Sequence, residues 1–276
     1  MKKKKIVRGA LTLCLLMALI IDLIPIYWAL VIAFDRSITT SIPNPPRFWP
    51  SVPSLFNYEY AFTYIPLLRY FANTLYVTVL NTAISVFSAT ACGYAFSKGK
   101  FYFKKTLFIF MIIPMMIPFE SRMIPLFLQF RDWGMLNTYA PLILGAFSYP
   151  YGMFLAKQNI DALPDSLRES AFIDGAKEWS VFLRIIVPLS WPVISTLVIL
   201  QAIANWNNFL WPLIVINERE KQLISVGISL FNTTDSAKYV GPVMAVAILS
   251  ALPLLLIFFM FQKKIVESIA FAGIKQ

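Results

Sequence analysis

Six long apolar stretches, roughly 10–34, 72–96, 106–130, 138–157, 189–216 and 241–262, constrain this chain more than any other feature. A helix needs about 20 mostly apolar residues to cross the hydrocarbon of a bilayer, and these stretches reach that length. Only helices and closed barrels satisfy their backbone hydrogen bonds in lipid. The stretches show no period-2 alternation, so they read as helices. Composition agrees: 58% of the residues are hydrophobic and 14% charged, far from an ordinary soluble domain. The expected fold class is all-α, a polytopic membrane protein with six transmembrane helices.

The net charge of +10 is a topology signal. With six spans both termini share one side, and that side carries Lys2 to Lys5, Arg8, Lys98, Lys100, Lys104, Lys105, Lys157, Arg168, Lys177, Arg184, Lys263, Lys264 and Lys275. These are 16 of the 24 basic residues; seven lie in the opposite loops and Arg122 falls inside a span. The positive-inside rule puts both termini in the cytoplasm. Basic residues distributed in this way do not form a nucleic-acid footprint. Four lysines ahead of the first apolar run imitate a secretory signal, but the run is too long and no A-x-A site follows it. It reads as an uncleaved first helix. Cys14 and Cys92 both lie within spans and there is no histidine, which leaves no disulfide framework and no Cys/His metal site.

Between the fourth and fifth runs lies a polar stretch, 158–188, with Arg168-Glu169-Ser170-Ala171-Phe172-Ile173-Asp174-Gly175 and then Ile185-Ile186-Val187-Pro188. Ser166-x-x-Glu169 has the form of a capping box. Gly175 is suited to a turn between two short helices, because it tolerates positive φ. Trp179, Phe182, Leu183 and Ile186 recur at helical spacing and define an amphipathic face. Small side chains at Ser170 and Ala171 suit close approach to a partner surface.

This segment resembles the coupling loop of ABC-importer permeases, E-A-A-x3-G-x9-I-x-L-P. Glu169, Ala171, Gly175, Ile185 and Pro188 match in place, Ser170 stands for alanine and Val187 for leucine. The resemblance is continuous from Asn73-Thr74 to the C-terminus. Met123-Ile124-Pro125-Leu126-Phe127, Gly134-Met135-Leu136-Asn137-Thr138-Tyr139 and Trp206-Asn207-Asn208-Phe209-Leu210-Trp211-Pro212 look like the sugar-permease branch, that of the smaller maltose permease. The resemblance implies a type I importer permease (MetI-like) fold. It implies one half of a permease heterodimer that moves a carbohydrate, an oligosaccharide by branch, delivered by an extracellular binding protein. It also implies two separate ATPase subunits, joined through Glu169, Ser170, Ala171, Asp174, Gly175 and Pro188. The chain has no G-x4-G-K-[ST] phosphate cradle. It is therefore expected to be a transport subunit that binds no cofactor itself, with ATP and Mg held in the partner ATPase.

In outline, residues 1–71 hold the N-terminal segment, the first span and a proline-rich external strap, 35–71. Residues 72–262 are the permease core and 263–276 a cytoplasmic tail. The external loop 217–240, with Asn232, Thr233, Thr234 and Asp235, is expected to meet the binding protein. The tail Phe271-Ala272-Gly273-Ile274-Lys275-Gln276 resembles the A-G-V-K terminus of maltose-type permeases, which implies that Gly273 and Lys275 reach into the ATPase dimer.

Gln201, Asn205 and Asn208 form one polar stripe on the fifth run, beside Trp206 and Trp211. Amides exchange hydrogen bonds with sugar hydroxyls and aromatic faces pack on pyranose rings, so a substrate path is one reading; interhelical bonding is the other. Thr74, Thr78, Asn81, Ser85 and Ser88 on the second run read as helix packing. Glu120 and Arg122, bracketed by Pro114, Pro118 and Pro125, read as a structural or gating pair on a kinked helix. Asp22 is a lone carboxylate facing a partner helix or water. The competing function classes are a self-contained secondary transporter or channel and a membrane-embedded enzyme. The coupling-loop motif speaks for the importer. The absence of a visible inverted repeat and of paired catalytic carboxylates speaks against the other two.

Overall fold

The computed structural model describes residues 2–38, 43–231 and 240–273. Among them the secondary structure is helical, with one isolated bridge between Asp35 and Pro53. The helices are α1 (Lys2–Ala33), α2 (Phe56–Tyr64), α3 (Leu67–Lys98), α4 (Lys104–Ile112), α5 (Phe119–Asp132), α6 (Ala140–Leu144), α7 (Pro150–Asp161) and α8 (Ser166–Ile173). Next come α9 (Glu178–Val181), a π-helical turn Phe182–Ile186, α10 (Val187–Leu189), α11 (Trp191–Trp206), α12 (Leu210–Val215), α13 (Ile224–Leu230) and α14 (Val240–Gly273). They fall into two compact units, Met1–Leu68 with Val226–Leu252 and Arg69–Ser225 with Pro253–Gln276.

Among the described residues three helices, α1, α3 and α14, are long and apolar enough to cross a membrane, and up to five spans result if each of two bent pairs is one span. The runs 10–34, 72–96 and 241–262 are therefore continuous helices, whereas 106–130, 138–157 and 189–216 are broken. Proline explains two of the breaks. A residue before proline is driven out of the α region by its Cδ. Ile117, before Pro118, is extended (φ −101°, ψ 115°), and the two parts of that span meet at 101°. Tyr149, before Pro150, also lies outside the α region (φ −121°, ψ 74°). This separates α6 from α7, whose 12 residues reach only about 18 Å. Residues 138–157 are thus not one continuous helix but two short ones in succession. The fifth run is interrupted at Asn207–Phe209 and enters through a 79° bend at Ser190.

Within the larger unit, α3 is the central post, 32 residues and about 48 Å long. Val77 near one end joins a core of Phe130, Leu142, Trp211, Val215, Ile216 and Leu223. Tyr94 near the other joins Ile160, Ala171, Val181, Phe182 and Ile186. Between them, Gly93 admits α7 so closely that a Cβ would lie 2.8 Å from that of Ala156.

In the smaller unit the strap is more ordered than its prolines suggest. Asp35 is fully buried and accepts hydrogen bonds from the backbone N–H groups of Ser37, Ser51 and Val52 and from the Ser37 hydroxyl. The Asn57 amide donates to the carbonyls of Ile32, Ala33 and Asp35, closing orphan acceptors at the end of α1. The strap also contains α2, and the external loop 217–240 contains α13; neither is a plain connector.

Candidate functional site: the α8–α9 coupling segment

The segment 158–188 folds as a short helix, a glycine turn and a second helix laid against the end of α3. Gly175 sits at φ +80°. Its N–H bonds to the Phe172 carbonyl at 3.0 Å and the next N–H, of Ala176, to Ala171 at 2.9 Å. This paired 5→2 and 6→1 closure is a Schellman motif, and it requires a left-handed residue after the helix. A Cβ built on Gly175 would meet nothing within 4 Å, so the requirement is backbone conformation rather than space.

One detail of this segment differs from the sequence expectation. α8 starts at Ser166 itself and its N-cap, Asp165, makes no side-chain capping bond. The Ser166-x-x-Glu169 capping box does not form, since Ser166 already has helical geometry and its carbonyl accepts from the Ser170 hydroxyl. Ala171 is buried on the inner face, packed with Tyr94, Val181 and Phe182. Its small side chain fits against this chain's own core. The outward face is Glu169, Ser170, Asp174, Gly175 and Ile173, the last 87% exposed. The face expected after the turn divides in the same way: Phe182 and Ile186 are buried while Trp179 and Leu183 remain exposed. The π-helical turn lies just ahead of Pro188, whose missing N–H leaves an upstream carbonyl without its α-helical donor.

A polar triad, one member of it distant in the chain, holds the two short helices together. The Arg168 guanidinium reaches both Glu178 carboxylate oxygens at 3.0 Å, and the Tyr94 hydroxyl donates to the same carboxylate at 2.5 Å. Arg168 also lies over the Phe172 ring at 4.9 Å. Beside it, Lys98 bonds the Leu163 carbonyl at 2.8 Å and the Asp165 carboxylate at 2.6 Å. This pairing holds the Asp165 carboxyl below the usual carboxylate range. The Glu169 carboxylate makes no hydrogen bond or ion pair among the described residues, which leaves it available on the outward face.

Further along the core, Asn81 of α3 gathers the fifth-run stripe. Asn205 donates to its carbonyl oxygen at 3.0 Å, Gln201 at 3.4 Å and Ser85 at 3.1 Å. Gln201 also reaches the Ser85 hydroxyl at 3.1 Å, and the Asn81 amide donates to the Leu142 carbonyl at 2.6 Å. The stripe therefore bonds α11 to α3. Asn208 sits at the break after α11, where its carbonyl accepts from Ser225. Trp206 is buried beside Phe71, with ring centroids 6.2 Å apart. Trp211 is a core residue: its indole N–H donates to Pro141 at 3.1 Å and its ring packs on Phe119 and Phe130. The sugar-stacking face expected of Trp211 is not open. Glu120 and Arg122 form no pair, because residues two apart on a helix face away from one another; Arg122 Nε is buried without a partner. Asn232, Thr233, Thr234, Asp235 and Lys275 lie outside the described residues, and Gly273 is the last residue of α14.

Apolar helices long enough to cross a bilayer, several of them broken at proline, are the arrangement of a membrane-embedded transport subunit. The chain belongs to the family described as binding-protein-dependent transport system inner membrane component, which matches residues 83–270. It is thus a membrane-embedded permease subunit, not an enzyme. It is 30% identical over 274 residues to the arabinooligosaccharides transport system permease protein AraQ of Bacillus subtilis, covering 97% of this chain and 96% of the relative. The lactose transport system permease protein LacG of Rhizobium radiobacter is 32% identical over 203 residues, 74% of this chain and 73% of its own. Among solved structures, a chain of a bacterial ABC transporter involved in alginate import superposes with a TM-score of 0.81 at 21% identity, covering 95% of this chain and 98% of that one. That likeness supports the fold assignment.

Proposed function

We propose that this chain is one of two permeases forming the path for an oligosaccharide that an extracellular binding protein delivers, driven by a separate ATPase dimer docked on α8. The single observation behind the docking is the outward face of α8. Glu169, Ser170, Ile173, Asp174 and Gly175 stand exposed together, on a helix fixed from behind by the Schellman turn and the Arg168–Glu178–Tyr94 triad. A rigid helix with an apolar tip and an uncommitted carboxylate is suited to fill a cleft on a partner. Pro188 acts from behind, through the π-helical turn that angles the segment. The ATPase binds ATP and Mg; this chain contributes no phosphate cradle. Both termini lie in the cytoplasm, on the side of the basic loops.

The oligosaccharide class is supported by the names of relatives: arabinooligosaccharides, lactose and diacetylchitobiose transport or uptake permeases. Gln201, Asn205 and Asn208 would border the path through the side-chain carbonyl oxygens that the bonds to α3 leave over; Trp206, buried beside Phe71, would back that wall rather than face the sugar. Asn232, Thr233, Thr234 and Asp235 would meet the binding protein, and Gly273 and Lys275 the ATPase pair.

A cysteine at Ser170, in the co-expressed importer, should cross-link to the ATPase subunit, with the yield changing between nucleotide-free and ATP-bound states. Absence of cross-linking in both states, in an importer that still takes up substrate, would refute the docking surface.

A further inference from the structure

The turn between α3 and α4, Lys98-Gly99-Lys100-Phe101-Tyr102-Phe103-Lys104-Lys105, carries three consecutive aromatic residues within a run of lysines. Tyr102 is 92% exposed and Phe103 77%. Their exposure is held in place, not a product of slack chain. The Lys104 ammonium donates to the carbonyls of Ser97 and Gly99 at 2.8 and 2.9 Å, locking the turn across its neck. Phe101 folds back edge-on to Phe96 at 5.6 Å. Phe103 adopts φ +59°, a left-handed conformation uncommon for a bulky side chain. Gly99 approaches Ala95 so closely that a Cβ would lie 2.5 Å from its carbonyl oxygen. The turn is braced to present two rings outward at the point where two apolar helices end.

Its charges are divided. Lys98 is paired with Asp165, and Arg168 with Glu178; Lys100 and Lys105 make no hydrogen bond or ion pair among the described residues. Lys100 lies on the wall of a cavity of about 430 Å³, with Gly99 and Phe101 beside it and Arg168, Glu178 and Trp179 across. The carboxylates nearby, Asp165 and Glu178, are already engaged by other cations, so positive charge is left over at the mouth. Exposed aromatic rings beside uncommitted lysines, at the end of a helix apolar enough to cross a bilayer, match its anionic surface.

We infer that this turn and the adjoining cavity form a site for an anionic phospholipid, whose phosphate seats at Lys100 and Lys105 while Tyr102 and Phe103 enter the headgroup layer. The bound lipid touches the wall that carries Arg168 and Glu178, so membrane composition acts on the segment that positions α8. The inference needs only that α3 and α4 enter the membrane; it does not depend on what docks at α8.

The test uses the whole importer in vesicles, with Cys14 and Cys92 replaced by alanine and a fluorophore placed through Tyr102→Cys. Brominated phosphatidylglycerol and brominated phosphatidylcholine are compared as quenchers. Quenching by phosphatidylglycerol should exceed that by phosphatidylcholine by about fivefold for each contributing lysine, and Lys100→Gln with Lys105→Gln should bring the two lipids level. Inorganic phosphate at millimolar concentration should not abolish the preference. Equal quenching by the two lipids in the parent protein would overturn the inference, as would displacement by phosphate. A label reached only by aqueous iodide, or shielded from both iodide and lipid by a protein partner, would overturn it too. The parent protein decides these outcomes even if the lysine variants fail to assemble.

Discussion

At the scale of single residues, Gly175 and Asp35 show the backbone dictating the side chain. Gly175 has space for a side chain but not the conformation for one. A residue forced into the left-handed region costs about 1–2 kcal/mol, and asparagine tolerates it best. Coupled uptake should therefore fall in the order glycine, asparagine, alanine, valine, while the subunit remains inserted. Equal activity of the valine variant would show that the turn carries no coupling. Asp35 is held by four donors. Burial pushes its carboxyl up, but the bonds from Ser51, Ser37 and Val52 outweigh burial and leave it below the ordinary carboxylate range. A depressed folded value means that the stabilisation is present above the unfolded value near pH 3.9. It is lost as pH falls through the lower folded value. Protection of the strap from limited proteolysis should be complete above about pH 4 and decline below it. Asp35→Asn should lower the protection at neutral pH and flatten the decline.

At the scale of elements, two polar clusters clamp pairs of helices that local sequence leaves independent. Asn81 serves Gln201, Asn205 and Leu142 at once, so Asn81→Ala removes an acceptor from two amides and a donor from one carbonyl. Interhelical hydrogen bonds in membranes average about 0.6 kcal/mol and reach about 1.7. Asn81→Ala should accordingly lower stability by about 1–2 kcal/mol in thermal unfolding of the purified importer, and Ser85→Ala by less. A double-mutant cycle with Asn205→Ala should return a coupling near 0.6 kcal/mol; zero coupling would mean that the contact contributes nothing. In the second cluster, Tyr94→Phe takes one donor from Glu178, whose carboxylate is half exposed. The effect should be modest, about 1 kcal/mol. Arg168→Ala should do more, since it removes both the bidentate partner and the contact with Phe172. The expected readout is faster proteolytic cutting at 174–177 in Arg168→Ala than in Tyr94→Phe.

At the largest scale, α3 joins two cores of the larger unit. Val77 belongs to one core and Tyr94 to the other, about 26 Å apart at 1.5 Å per residue. α3 thus connects the core behind α8 to the far core as one continuous helix. Ile173→Asp, at an 87% exposed position, should leave folding unchanged and reduce ATPase-driven uptake by adding a third carboxylate to Glu169 and Asp174 on the docking face. Unchanged uptake would remove Ile173 from the interface. Deleting residues 272–276 should likewise lower ATP-driven transport without altering insertion; wild-type uptake would make the tail dispensable.

The sequence alone determined the membrane class, the number of apolar runs and the turn at Gly175. Each of these depends on residues adjacent in the chain: run length, dipeptide sterics before proline, a glycine at the end of a short helix. One span break was legible too, since Pro114, Pro118 and Pro125 already read as a kink; Tyr149–Pro150 carries the same restriction, which a hydropathy window averages away. What only the tertiary structure decided is which face of each helix turns inward. Ala171 serves its own core because α8 lies against Tyr94, and the Gln201–Asn205 stripe is spoken for because Asn81, more than a hundred residues earlier, faces it. Helical periodicity fixes the spacing of a stripe but not its azimuth, and the azimuth is set by packing against elements distant in sequence.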